Sequence, residues 1–194
     1  MYSTVNPLNT YSALANTKDT YAGMLPASDP RRYERLLTVG SNPNYYNGME
    51  LDASFVQTPN GKDMWGHDII FAFTGDDGFW LYVDNELVID LGGIHSALAG
   101  SVKFSTGEVV VDGKKTTLRE VFKNNYLARN PSASAADVNT ELAKYFDHGS
   151  EVFKTYSKHT MKIFYMERGA GASNLHMRFN LSYVTPGHVL LKRM

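Results

Sequence analysis

Two neighbouring acids, Asp76 and Asp77, stand between Gly75 and Gly78. Adjacent carboxylates in a tight turn can supply two hard oxygen ligands to calcium, which takes about 6–8 such ligands at about 2.3–2.6 Å. The same four residues also describe an ordinary hairpin turn with solvated carboxylates. A second candidate is the small-residue loop Glu167-Arg168-Gly169-Ala170-Gly171-Ala172-Ser173-Asn174. Asn174 offers an amide oxygen, Gly171 and Ser173 stand beside it as ligand-facing positions, and the glycines let backbone carbonyls approach an ion or ligand. The bland alternative is a plain connecting loop. His95, after Gly92-Gly93-Ile94, is either a ligand contact or a hydrogen-bonded structural residue. Trp65, beside Gly66, could stack on the apolar C–H face of a pyranose, whereas Trp80 lies among apolar neighbours and reads as core.

Enzyme signatures are missing. The chain has no His-Glu-x-x-His, no Gly-x-Ser-x-Gly and no glycine-rich phosphate loop, and its six histidines lack metal-ligand spacing. The expectation is a binding module and not an enzyme. A glycosidase, whose two carboxylates can lie far apart in sequence, stays as a third reading. Without cysteine there is no disulfide and no thiol chemistry. The net charge is −1 and no Lys/Arg block stands out, which sets nucleic acid aside. No apolar run approaches the roughly 20 residues of a membrane span, so no membrane insertion is expected. The first residues lack the charged-then-apolar layout of a signal peptide.

The elements that must position these residues read as strands. Hydrophobic residues make up 43% of 194, with 12 Tyr and 10 Phe, which suits pleated surfaces and a single sizeable core. Strands are expected at Leu51–Gln57, His67–Thr74, Phe79–Val83 and Leu87–Leu91, the last three as an antiparallel meander with its two turns at opposite ends. A hairpin follows across Thr106-Gly107. A helical insertion is expected over about 112–149, its second helix opened by the capping box Ser134-Ala135-Ala136-Asp137. Thr160–Met166 and the strictly alternating Leu175–Tyr183 return to strands. Residues 1–48 read as an extended arm. The expected domain is 1–187, and the apolar run in 188–194 reads as the start of a linker or following module.

The run Phe71-Ala72-Phe73-Thr74-Gly75-Asp76-Asp77-Gly78-Phe79-Trp80-Leu81-Tyr82-Val83-Asp84-Asn85-Glu86-Leu87-Val88-Ile89-Asp90-Leu91-Gly92-Gly93-Ile94-His95 resembles the fibro-slime family, a relative of the fourteen-kilodalton domain of anthrax protective antigen. Phe164-Tyr165-Met166-Glu167-Arg168, followed by Ser173-Asn174, is similar to the family's closing motif. The resemblance covers about 51–95 and 150–184. It implies a mainly β protein, an antiparallel β-sandwich of the protective-antigen type with a small helical insertion. It also implies a calcium-dependent, carbohydrate-binding adhesin or lectin module, extracellular or on a microbial cell surface, and monomeric within a longer chain. Its partner would be a glycan or glycoprotein on a host or neighbouring cell. In the lectin members the acid pair is joined by a cis peptide and an Asn from a second loop completes the calcium site; carried over, these are Asp76, Asp77 and Asn174. Where many family sequences have a third acid, this chain has Gly78. Other members are structural or bind protein, and that reading of the same fold stays open.

Overall fold

A computed structural model describes residues 3–5, 38–39, 42–43, 47–168, 174–181 and 185–193. The strands are β1 (Ser3–Val5), β2 (Thr38–Val39), β3 (Asn42–Pro43), β4 (Asn47–Val56), β5 (Ile70–Gly75), β6 (Gly78–Val83), β7 (Glu86–Leu91), β8 (Leu98–Lys103), β9 (Glu108–Val111), β10 (Lys114–Thr117), β11 (Lys158–Glu167), β12 (Leu175–Phe179) and β13 (Thr185–Arg193). Two helices, α1 (Leu118–Arg129) and α2 (Ala135–Leu142), fall between β10 and β11. One sheet has the order β1-β12-β5-β8-β9-β10 and the other β13-β4-β11-β6-β7, with β2 and β3 paired separately. All the strand pairs are antiparallel. The fold is the expected mainly β sandwich.

Burial alternates along the core strands and aims one face of each sheet inward. Phe71 and Phe73 of β5 meet Phe79 of β6 across the two sheets, with Phe73 and Phe79 stacked at 3.8 Å between ring centroids. Leu81, Ile89, Met161, Ile163, Tyr165, Val102, Val109, Leu175 and Met177 fill the space around them. Each such side chain contributes about 1.5–3 kcal/mol on burial. No helix among the described residues is long and apolar enough to cross a membrane.

Three local expectations are corrected. The meander stops at two strands: β6 pairs with β7, but β5 pairs with β8 and β12. The 75–78 turn therefore carries the chain from one sheet to the other. Residues 112–117 are not helical. Asp112 and Gly113 both have positive φ, as a two-residue hairpin turn requires, and β10 returns along β9. The alternation from Leu175 breaks at Asn180, which is buried because its Oδ1 accepts the Ile70 N–H (2.8 Å) and its Nδ2 donates to the Asp68 carbonyl (3.0 Å). The capping box at Ser134 forms as the sequence implies.

The helices close a sheet edge. β7 lies at the end of its sheet, where unpaired backbone groups invite pairing with another strand. α1 packs there: Asn125 donates to the Leu87 carbonyl (3.1 Å), and Arg129 grips the buried Glu86 through two bonds of 2.9 and 2.5 Å. The tail run, expected to lead into a further module, pairs as β13 with β4 from Thr185 to Arg193. Most of the expected 1–48 arm lies outside the described residues.

Candidate functional site

Strand register decides which candidates can meet. Gly75 pairs with both Leu98 and Leu175, Gly78 with Met166, and Phe79 with Leu91. The ends of β5, β7 and β11 and the starts of β6, β8 and β12 thus share one pole of the sandwich. Asp76, Asp77, Asn174 and His95 all lie there. Gly171 and Ser173 lie outside the described residues. Trp65 does not join them. It sits between β4 and β5 at the opposite pole, where Val56 pairs with Lys158 and Ile70 with Lys103.

Asp76 and Asn174, 98 positions apart, are bound face to face. The Asn174 backbone N–H donates to Asp76 Oδ1 (2.7 Å), its Nδ2 donates to Asp76 Oδ2 (3.2 Å), and the Asp76 N–H donates to the Asn174 carbonyl (3.2 Å). Gly75 permits this approach, since a Cβ there would lie 2.5 Å from the Asn174 carbonyl oxygen. Asp77 turns away. It is 3% exposed, and its Oδ2 accepts the Arg168 backbone N–H at 2.5 Å. The implied cis join is not present: among the described residues no peptide bond is cis, and Asp77 instead has φ +60°. The left-handed backbone at a corner between sheets sends the two carboxylates to different partners.

The residues suit calcium in their chemistry. A carboxylate has about four lone-pair sites, so each Asp76 oxygen keeps capacity beyond the N–H it accepts, and the Asn174 contacts leave its Oδ1 unused. These are the hard oxygens that calcium takes. Among the described residues no cluster of three or more His, Asp or Glu is placed to hold a metal; as folded, the paired oxygens here are those of Asp76 and Asn174, with Asp77 held on the Arg168 amide.

Trp80 spans this pole. Its half-buried indole would lie 2.5 Å from a Cβ on Gly78 and 2.8 Å from one on Gly92, so the ring fits only because both positions are glycine. His95 is a strut in the next loop. Its Nδ1 is 2.9 Å from the Ser96 carbonyl oxygen and its Nε2 2.8 Å from that of Leu91; both oxygens only accept, so a neutral ring bonds one of them through its single N–H.

No family model matches the chain, and no solved structure matches it. The chain is similar to the protein psiP of Dictyostelium discoideum, 34% identical over 102 residues, which are 53% of this chain and 12% of psiP. It is also similar to psiB of the same organism, 41% identical over 63 residues (32% of this chain, 10% of psiB), and to psiE, 38% identical over 78 residues (40% and 14%). The matched stretch spans only a small part of each of these relatives.

Two groups escaped sequence reasoning. Arg168 holds Nε and Nη2 buried without a hydrogen-bond partner, at the same pole as the two acids. The signal was a cation directly after an apolar strand. The other is a linked Asp84, His159 and Ser157 at the opposite pole. His159 Nδ1 is 2.5 Å from Asp84 Oδ2, and its Nε2 is 2.6 Å from Ser157 Oγ. Ser157 Oγ also lies 2.5 Å from the Lys154 carbonyl oxygen, which can only accept, so the single hydroxyl proton is drawn to Lys154 and away from the imidazole. The imidazole is 3% exposed and stacked on Phe153 at 3.9 Å. That arrangement locks the Asp84-Asn85 turn onto β11. Asp84 is 75 positions from His159, and no local pattern joins them.

Proposed function

We propose that this chain is a calcium-dependent carbohydrate-binding module of a microbial cell-surface protein, with Asp76 and Asn174 as the ion's protein ligands and Asp77 joining them by leaving the Arg168 amide. The observation that carries this reading is the direct pairing of Asp76 with Asn174, which brings an acidic turn and a distant amide to one pole. Calcium, when bound, offers its remaining coordination positions to sugar hydroxyls. The resemblance to fibro-slime sequences supports the same assignment of residues. The protein acts as an adhesin, and its partner is a glycan on another cell.

A second reading has its own support. The burial of Asp77 against the Arg168 amide favours a structural or protein-binding domain in which the acids staple loops together. A thermal-shift titration with calcium separates the two. An ion that binds only the folded state stabilises it by about 2.7 kcal/mol at a hundred times its dissociation constant. The calcium reading expects a melting temperature that climbs with calcium and a glycan-array signal that chelator removes. A flat melting temperature up to millimolar calcium, with a blank array, selects the staple.

A further inference from the structure

At the pole opposite Asp76, the loop between β4 and β5 is a small rigid hairpin. Lys62 bridges Asp68, the Asp63 N–H donates to the His67 carbonyl (2.8 Å), and the Gly66 N–H donates to the Asp63 carbonyl (3.0 Å). Asp63 Oδ1 accepts the N–H groups of Trp65 and His67, both at 2.9 Å, while its Oδ2 meets the His67 ring at 3.2 Å. Asp68 ties the base of the loop to Lys62 (3.1 Å) and Lys103 (2.8 Å). The loop is anchored in the core through Gly61, where a Cβ would strike the Phe104 backbone at 2.4 Å.

This scaffold holds two apolar side chains out in water: Met64 is 84% exposed and Trp65 64%. A third exposed side chain, Tyr156 at 72%, belongs to the same pole, since its N–H donates to the carbonyl of Gln57 at the start of that loop (2.8 Å). Tyr156 has φ +65°, a backbone region that bulky residues seldom occupy. A glycine or asparagine would turn this corner with less strain, so the aromatic ring needs a reason other than the turn.

We propose that this pole is a second glycan-binding surface, independent of calcium, on which a neutral oligosaccharide stacks against Trp65 with Tyr156 as a further contact. It shares with the preceding reading only the class of ligand. The size of the patch argues for a sugar. A stable protein interface takes about 800 Å² from each partner, some 20–30 residues, and here only Met64 and Trp65 stand out from the loop that carries Lys62, His67 and Asp68, with Tyr156 tied to the start of that loop at Gln57. A pyranose needs one fixed aromatic face and a few polar neighbours for its hydroxyls, which His67 and Lys62 supply. A membrane surface would call for excess positive charge, but Asp68 pairs with both lysines. With ligand sites at opposite poles, one molecule could bridge two glycan chains, and avidity would then exceed either affinity.

The test uses tryptophan fluorescence of the whole chain in EDTA, titrated with hexasaccharides of β-linked glucose, N-acetylglucosamine and mannose. At least one should shift the emission saturably. Trp65→Ala should weaken that binding by about tenfold or more, as for a central aromatic anchor; because Trp65 supplies the fluorescence signal, that variant is read by calorimetry. Trp65→Tyr should restore part of the affinity, and Asp76→Asn should leave it unchanged. Tyr156→Gly should raise the melting temperature yet lower the affinity, a split that a structural tyrosine would not give; unchanged affinity removes Tyr156 from the surface. The proposal is overturned if no hexasaccharide binds in EDTA, or if binding survives Trp65→Ala. It is also overturned if Trp65 instead governs sedimentation with neutral phosphatidylcholine vesicles or self-association in ultracentrifugation.

Discussion

The two poles of the sandwich solve opposite problems. At the Asp76 pole, polar groups are mostly tied to one another, Asp76 to Asn174, Asp77 to the Arg168 amide and His95 to a backbone carbonyl, with Arg168 Nε and Nη2 left over. Glycines at 75, 78 and 92 allow the close approach. At the Trp65 pole the polar groups are spent on making the loops rigid, and apolar rings are left facing water. The first arrangement suits a small hard ion, which needs oxygens held close together. The second suits a ligand with an apolar face, which gains most from a surface that loses no freedom on binding. Neighbouring strands of one molecule can thus present unrelated chemistry at their two ends.

The largest expected effect lies beneath the Trp65 pole. His159→Ala removes a ring stacked on Phe153 and leaves Asp84 without its partner. It should cost about 2–4 kcal/mol, read as a lower urea midpoint. A loss below about 1 kcal/mol would mean that the Asp84-Asn85 turn does not depend on this link.

A pair of glycine substitutions contrasts the poles directly. Gly75→Ala drives a Cβ to 2.5 Å from the Asn174 carbonyl oxygen, and overpacking of this kind costs about 1–3 kcal/mol. It should also abolish any calcium response, because it separates Asp76 from Asn174. Gly66→Ala, in the Trp65 loop, meets nothing within 4 Å and carries only the penalty of φ +85°, about 1 kcal/mol. Equal losses from the two, by chemical denaturation, would remove the contrast in packing.

Asp76→Ala is milder for stability. It leaves two partly exposed Asn174 donors to water and should cost about 1 kcal/mol. Its sharper signature is functional: the calcium-dependent rise in melting temperature should vanish, while hexasaccharide binding in EDTA persists.

How much of this was legible in the sequence differs by scale. Runs such as Phe79–Val83 and the alternation at Leu175 announced their strands, and Ser134 with Asp137 announced the start of α2. These signals are local. The sheet to which β5 belongs was not legible, because Gly-Asp-Asp-Gly serves a hairpin and a crossing between sheets equally well. The choice is made by β8 and β12, which lie far along the chain. The same holds for the sites. Asp76 and Asn174 were singled out, but Asp77's inward turn follows from the crossing. Trp65 was recognised as an open aromatic, but its place at the opposite pole was not legible, since residue type does not reveal which end of a strand a loop occupies.

The smallest expected effect concerns pH and the base of the Trp65 loop. The Lys103 ammonium first, with the Ser105 hydroxyl and Lys62 behind it, holds the Asp68 carboxyl far below its ordinary range. The folded state therefore binds this proton more weakly than the unfolded chain, whose aspartates titrate near about 3.9. The stabilisation is complete above that value and is lost as pH falls through it toward the depressed folded value. Because Asp68 is partly solvated, the effect is modest. Asp68→Asn should leave a shallower decline in stability between about pH 4 and pH 2, measured by urea denaturation at each pH. The contrast with the other pole comes from a chelated sample, in which Asp76→Asn and Asp68→Asn are compared for hexasaccharide affinity as acid is added. Only the Asp68 variant should weaken binding already at neutral pH, because only its carboxylate braces the loop that carries Trp65. Equal behaviour of the two variants would mean that the loop holds its shape without that brace.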